Sequence, residues 1–168
     1  LTTSGVSLVL GIDVDDIDVV LGGFGEDTLV GLPDVTTWSL GATNSGRVVT
    51  TGAESTVIAD VLFEGFENLE GQIGDDSFVL DDGAGVTGTL DGGGGSNLLD
   101  YSGYSAANPV TVDLADGAVT NIQSITGGSG ADDTLIGPAE DVVWTLTGVD
   151  AGDVAGIEFT GFENLSGA

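Results

Sequence analysis

The side chains able to do chemistry in this chain are almost all carboxylates: 28 Asp and Glu stand against one basic residue, Arg47, with no His, Cys or Met. That inventory removes the hydroxyl or thiol nucleophile activated by imidazole, the Schiff-base lysine, and every thiolate or imidazole metal site. Oxygen-donor chemistry is left, either ligation of a hard cation such as Ca2+ or a pair of acids working as in glycoside hydrolysis. The acids best placed for a cation are Asp27 and the adjacent pairs Asp75/Asp76 and Asp132/Asp133, all set in glycine-rich knots. Asp13, Asp15, Asp16 and Asp18 form another cluster, but it lacks the glycine of an EF-hand loop and reads as a charged edge with a cation option. An enzyme cutting acidic polysaccharides needs basic residues to hold its substrate, and a lone Arg does not supply them. The chain is therefore read as non-enzymatic, with no catalytic and no cofactor-binding residue assigned.

The knots share a spacing. Gly22-Gly23-Phe24-Gly25-Glu26-Asp27-Thr28-Leu29-Val30 fits Gly-Gly-x-Gly-x-Asp-x-hydrophobic-x at every position. The stretch from Gly71 to Val79 fits with Gln72 at the second glycine, and Gly92 to Asp100 fits with Asn97 in place of Asp. Gly127 to Leu135 fits with one residue inserted. Through these knots, the run Asp91–Gly103 and the stretch Val110–Leu114, the chain resembles the haemolysin-type (RTX-like) tandem-repeat regions of giant secreted bacterial surface proteins and adhesins. The resemblance implies an extracellular, cell-surface setting and calcium held between consecutive nonapeptide turns. The knots here start at 22, 71, 92 and 127, so none follows another at nine residues. An isolated knot offers too few oxygens for the six to eight that calcium takes. Two readings stand at each knot: a glycine corner with a solvated Asp, or an ion site.

The elements that must carry these knots are short and repeated. Asp27-Thr28-Leu29-Val30-Gly31 returns as Asp133-Thr134-Leu135-Ile136-Gly137, and Trp38-Ser39-Leu40 as Trp144-Thr145-Leu146, both 106 positions on (27 to 133, 38 to 144). Gly65-Phe66-Glu67-Asn68-Leu69 returns letter for letter at 161–165, 96 positions on (65 to 161). The first copy thus carries ten extra residues around Thr43 to Thr56, read as an extended loop or hairpin. A further landmark, Val6–Leu10, answers Val110–Leu114. About one and a half copies of a unit near a hundred residues are present, expected to come from a longer tandem array whose export signal lies elsewhere.

Strand-like triplets recur at 28–30, 38–40, 48–50, 77–79, 89–90, 98–101, 110–114, 134–136 and 142–146, with Gly or Asp between them. No window keeps a 3.6-residue apolar period, so the fold is all-β. One architecture is a parallel β-solenoid (β-helix-like) tandem repeat; the alternative is two antiparallel β-sandwich repeat domains. The expected organisation is a partial unit over 1–64, a central segment with Gly/Asp knots over 65–137, and the start of the next unit over 138–168.

A formal net charge of −27 excludes nucleic acid and anionic membrane as partners, since both need Lys and Arg. No apolar run is long enough to span a bilayer. Trp38, Trp144, Phe66 and Phe162 sit at equivalent repeat positions and read as core plugs. Tyr101 and Tyr104 flank Gly103 without a counterpart and are the one candidate platform for cell-surface glycans. The expected function is a structural or adhesive segment acting as spacer or stalk. Its partners would be neighbouring repeats of the same parent chain, with end-to-end self-association through an uncapped apolar edge as an option. A carbohydrate- or calcium-binding module is the alternative.

Overall fold

A computed structural model describes residues 7–9 and 18–168. The acids Asp13, Asp15 and Asp16, together with Ile17, lie outside the described residues.

Among the described residues all regular structure is strand apart from one 3-10 turn at Ala53–Ser55. In chain order the strands are β1 (Ser7–Val9), β2 (Val19–Leu21), β3 (Thr28–Val30), β4 (Val35–Ala42), β5 (Ser45–Thr51) and β6 (Val57–Glu64). There follow β7 (Asn68–Glu70), β8 (Ser77–Asp81), β9 (Leu90–Asp91), β10 (Leu98–Gly103), β11 (Thr111–Asp113) and β12 (Val119–Thr120). The last six are β13 (Ser124–Thr126), β14 (Thr134–Ile136), β15 (Trp144–Gly148), β16 (Ala151–Val154), β17 (Ile157–Thr160) and β18 (Asn164–Ser166). Every triplet expected from composition lies on or overlaps one of these strands. Most are short because a glycine or acidic corner closes each apolar run after two to five residues.

Three sheets result. One has the order β1-β3-β7-β9-β12, a second β15-β16-β17-β13-β10-β8-β4-β5-β6-β2, and a third β11-β14-β18. The chain passes between them: β7 in the first sheet leads to β8 in the second, β9 in the first, β10 in the second, β11 in the third and β12 back in the first. Each return lays a strand parallel to one already there. In-register apolar residues therefore line up across strands, as Leu29, Leu69 and Leu90 do in the first sheet. In the second sheet the line runs Trp38, Phe78, Leu99, Ile125, Phe159. All five are at most 1% exposed, so this line is the spine of the core. Each strand shelters its neighbour's apolar residue, which a two- to five-residue strand could not do alone.

The second sheet departs from both architectures expected from the sequence. It is mixed: β4-β5-β6 and β15-β16-β17 are antiparallel meanders inserted among parallel strands. It also runs through residues of both repeat copies rather than dividing into two antiparallel sandwiches. The reason is local turn chemistry. Ala155 and Gly156, both at positive φ (53° and 83°), form the two-residue link between Val154 and Ile157, and Asn44 (φ 57°) serves the β4–β5 reversal. The ten extra residues of the first copy do not create the hairpin; they lengthen it. β5 and β6 have 7 and 8 residues where β16 and β17 have 4 each.

Candidate functional site

The glycine–acid corners are built from hydrogen bonds that run between strands. In each, the residue just before a strand turns a side-chain carbonyl or carboxylate towards the main-chain N–H of the matching residue beside it. From Thr36, the second residue of β4, to the residues just ahead of β8, β10 and β13 the series is unbroken. Thr36 N–H donates to Asp76 Oδ1 (2.7 Å), Asp76 N–H to Asn97 Oδ1 (2.9 Å), and Asn97 N–H to Gln123 Oε1 (2.7 Å). Ahead of β3 and β7, Asp27 N–H donates to Glu67 Oε2 (2.8 Å). Ahead of β11, β14 and β18, Val110 N–H donates to Asp133 Oδ1 (2.7 Å) and Asp133 N–H to Glu163 Oε2 (3.1 Å). A donor that a sheet ladder leaves unpaired at the strand's start is thereby satisfied.

This arrangement accounts for the repeated letters. Asp27/Glu67 and Asp133/Glu163 are the same pair in the two copies, and Asn68 and Asn164 each donate their main-chain N–H to the Asp carbonyl at 3.0 Å. Phe66 and Phe162 plug the corner at 1% exposure, while Gly65 and Gly161 take φ of 74° and 73°. The first glycine of a knot is required by a neighbouring main-chain carbonyl and, at Gly71 and Gly92, by the side chain five positions on. A β-carbon on Gly71 would lie 2.2 Å from Asp76 Oδ2, and one on Gly92 would lie 2.5 Å from Asn97 Nδ2. Spacing alone exposed the knots; the interstrand partner, far away in sequence, was not readable from it.

The five acids expected to be cation ligands fall into two groups. Asp27, Asp76 and Asp133 are buried, and Asp75 and Asp132 are exposed. Neighbours in an extended segment point to opposite faces, so each adjacent pair is split between interior and solvent. Asp18 is exposed. A hard cation takes six to eight oxygens, and among the described residues no three acidic side chains gather to hold one. Asp76 and Asp133 each keep one buried oxygen, Oδ2, without a hydrogen-bond partner. Burial pushes the Asp76 carboxyl up to about 6, against the Thr36 N–H, which favours its charged form; the nearby charge of Asp75 adds to the rise.

Its neighbour explains what that oxygen lacks. Asn97, in the equivalent corner, uses Nδ2 to donate to the Asn121 carbonyl at 2.9 Å. At Asp76 the matching carbonyl is that of Gly92, which shares with Oδ2 the space where a Gly71 side chain would be. Both are acceptors, so neither can bond the other while the carboxyl is charged.

Tyr101 and Tyr104 are half-buried rather than open, packed edge to face at 5.2 Å against the core. The Tyr104 hydroxyl donates to the Ala84 carbonyl. Burial raises the Tyr101 phenol far above its ordinary range. With Leu80, Val110 and Val112 the two rings line a pocket of about 510 Å³, edged by Asp113 and Asp116. Arg47 pairs with Asp60 on the exposed face of the β5–β6 hairpin, Nη2 to Oδ2 at 2.6 Å. That pair is worth little in water.

Comparison with protein-family models, curated proteins and solved structures returns no match.

Proposed function

We propose that the chain is a non-enzymatic structural segment, a spacer or stalk of β-solenoid type in the manner of RTX-like repeat regions, working on a bacterial cell surface outside the cell. The observation that carries this reading is the series Thr36–Asp76–Asn97–Gln123, in which an acid that could do chemistry and two amides instead fasten one strand to the next. One oxygen of Asp76 is held by the Thr36 N–H and the other is buried, so neither is open to a substrate. Among the described residues every acid but Asp27, Asp76 and Asp133 is at least partly open to water, and a charge of −27 on the chain keeps neighbouring molecules apart.

A stalk grows in length at constant cross-section as units are added. Small-angle scattering of proteins with one, two and three tandem units tests this. Maximum dimension should rise in equal steps while the cross-sectional radius stays fixed; a compact particle whose cross-section grows would sink the reading.

Calcium enters as an added stabiliser. Its motive is the buried, unpartnered Oδ2 of Asp76 and of Asp133 beside acidic neighbours. Melting temperature is the measure: CaCl2 must raise it beyond NaCl at equal ionic strength. The glycan-binding alternative rests on Tyr101 and Tyr104, and a glycan array with the Tyr101→Ala protein as control tests it.

A further inference from the structure

The two repeat copies share landmarks but not surroundings, and the difference marks an acceptor surface. In the first copy Trp38 is closed in on two sides, edge-on to Phe63 (6.0 Å) and stacked on Phe78 (5.8 Å, 6° between planes). In the second copy Trp144 meets Phe159, the counterpart of Phe63, edge-on at 5.7 Å. Among the described residues no aromatic ring stacks on its other side, and β15 and β18 are the last strands of their sheets. Exposure follows. Leu40 is 1% exposed and its counterpart Leu146 66%; Leu69 is 1% exposed and Leu165 37%.

The first copy also identifies what covers these positions. Residues 77–91 do so, through β8 on β4 (Trp38↔Phe78, Leu40↔Leu80) and β9 on β7 (Leu69↔Leu90, Glu70↔Asp91). The corner is completed by Thr89, whose N–H and Oγ1–H both donate to Asn68 Oδ1, at 2.8 and 3.0 Å. Asn164, the first residue of β18, holds the position equivalent to Asn68. We infer that the β15–β18 face, centred on Trp144, Leu146, Asn164 and Leu165, accepts a repeat-type segment carrying a Ser-Phe-Val-Leu strand and a Thr-Leu-Asp strand, both parallel to their hosts. Its Phe stacks on Trp144, its Leu covers Leu165, and its Thr donates to Asn164. This rests on the tandem-repeat reading and names the surface through which one unit receives the next.

The experiment appends a second copy of residues 73–106 directly after Ala168, where it falls into the register of the first copy (165 answers 69, 168 answers 72). Acrylamide quenching separates the two tryptophans, Trp38 being fully buried. The appended segment should cut the quenching of Trp144 severalfold and raise the melting temperature. The same extension carrying Phe78→Ala and Leu90→Ala in the added copy should give neither effect. Unchanged Trp144 quenching, with the strand content of residues 1–168 intact by circular dichroism, would overturn the proposal. So would concentration-dependent dimerisation of the unextended chain with Trp144 protected, because a second molecule would then be the occupant. Both outcomes are distinct from failure of the stalk reading, which appears as a growing cross-section in scattering.

Discussion

At the scale of single residues, Asp76 does opposing things. Its Oδ1 fastens β4 to β8 by accepting from Thr36, and its Oδ2 is buried without a hydrogen-bond partner. Its folded-state value of about 6 lies above the ordinary 3.8. The associated stability is therefore complete below about pH 4 and is lost as pH rises through 6. Asp76→Asn supplies the missing donor in the manner of Asn97. We expect it to stabilise the protein at pH 8 by about 2–3 kcal/mol, since each tenfold change in a protonation equilibrium is worth about 1.4 kcal/mol. The gain over wild type should shrink towards zero by pH 4, which urea midpoints measured across pH 4–8 would check. Glycine positions offer a sharper contrast. Gly71→Ala drives a β-carbon to 2.2 Å from Asp76 Oδ2 and 2.6 Å from the Gly92 carbonyl, whereas Gly85→Ala meets nothing within 4 Å. The first should cost more than about 2 kcal/mol and the second less than about 0.5 kcal/mol in either direction, read from denaturant midpoints. The knots were legible because Gly and Asp at fixed spacing mark corners. That Asp27, Asp76 and Asp133 would be buried while Asp75 and Asp132 stay wet was not, since it depends on which strand lies alongside.

At the scale of elements, the apolar triplets located nine strands, and the repeated Trp and Phe landmarks located core plugs at Trp38, Phe66 and Phe162, each at most 1% exposed. The sequence marks the first meander only as an insertion around Thr43 to Thr56 and the second not at all, because none of the four reversals uses the Asn-Gly or Asp-Gly pair that announces a hairpin. The β16–β17 turn instead holds Ala155 at φ 53°, a left-handed conformation that an alanine adopts at a cost. Ala155→Asn restores a preferred type I′ pair with Gly156 and should stabilise by about 0.5–1 kcal/mol. In a chain of 168 residues this corresponds to a melting-temperature rise of roughly 1–4 °C by calorimetry. The register could not be read from the sequence either. Successive strands of one sheet lie 40, 21 and 29 residues apart (Leu29 to Leu69, Leu90 and Val119), so no fixed period identifies the neighbour.

At the scale of the whole molecule, a charge of −27 spread over stacked short strands must repel itself, and salt shortens the reach of that repulsion from about 30 Å at 0.01 M to about 3 Å at 1 M. Melting temperature should therefore climb by several degrees between 10 mM and 0.5 M NaCl, and a flat response would mean that the charges are neutralised some other way. What holds the strands together against this repulsion is the in-register apolar spine and the relay of corner side chains, and the relay is the part most open to direct test. Amide hydrogen exchange on the Asn97→Ala protein reads it at one bond. The Asp76 N–H, which donates to Asn97 Oδ1, should lose at least tenfold protection while the amide of Phe78 keeps most of its own. Unchanged protection at Asp76 would contradict the account, for the strands would then be joined without their corners.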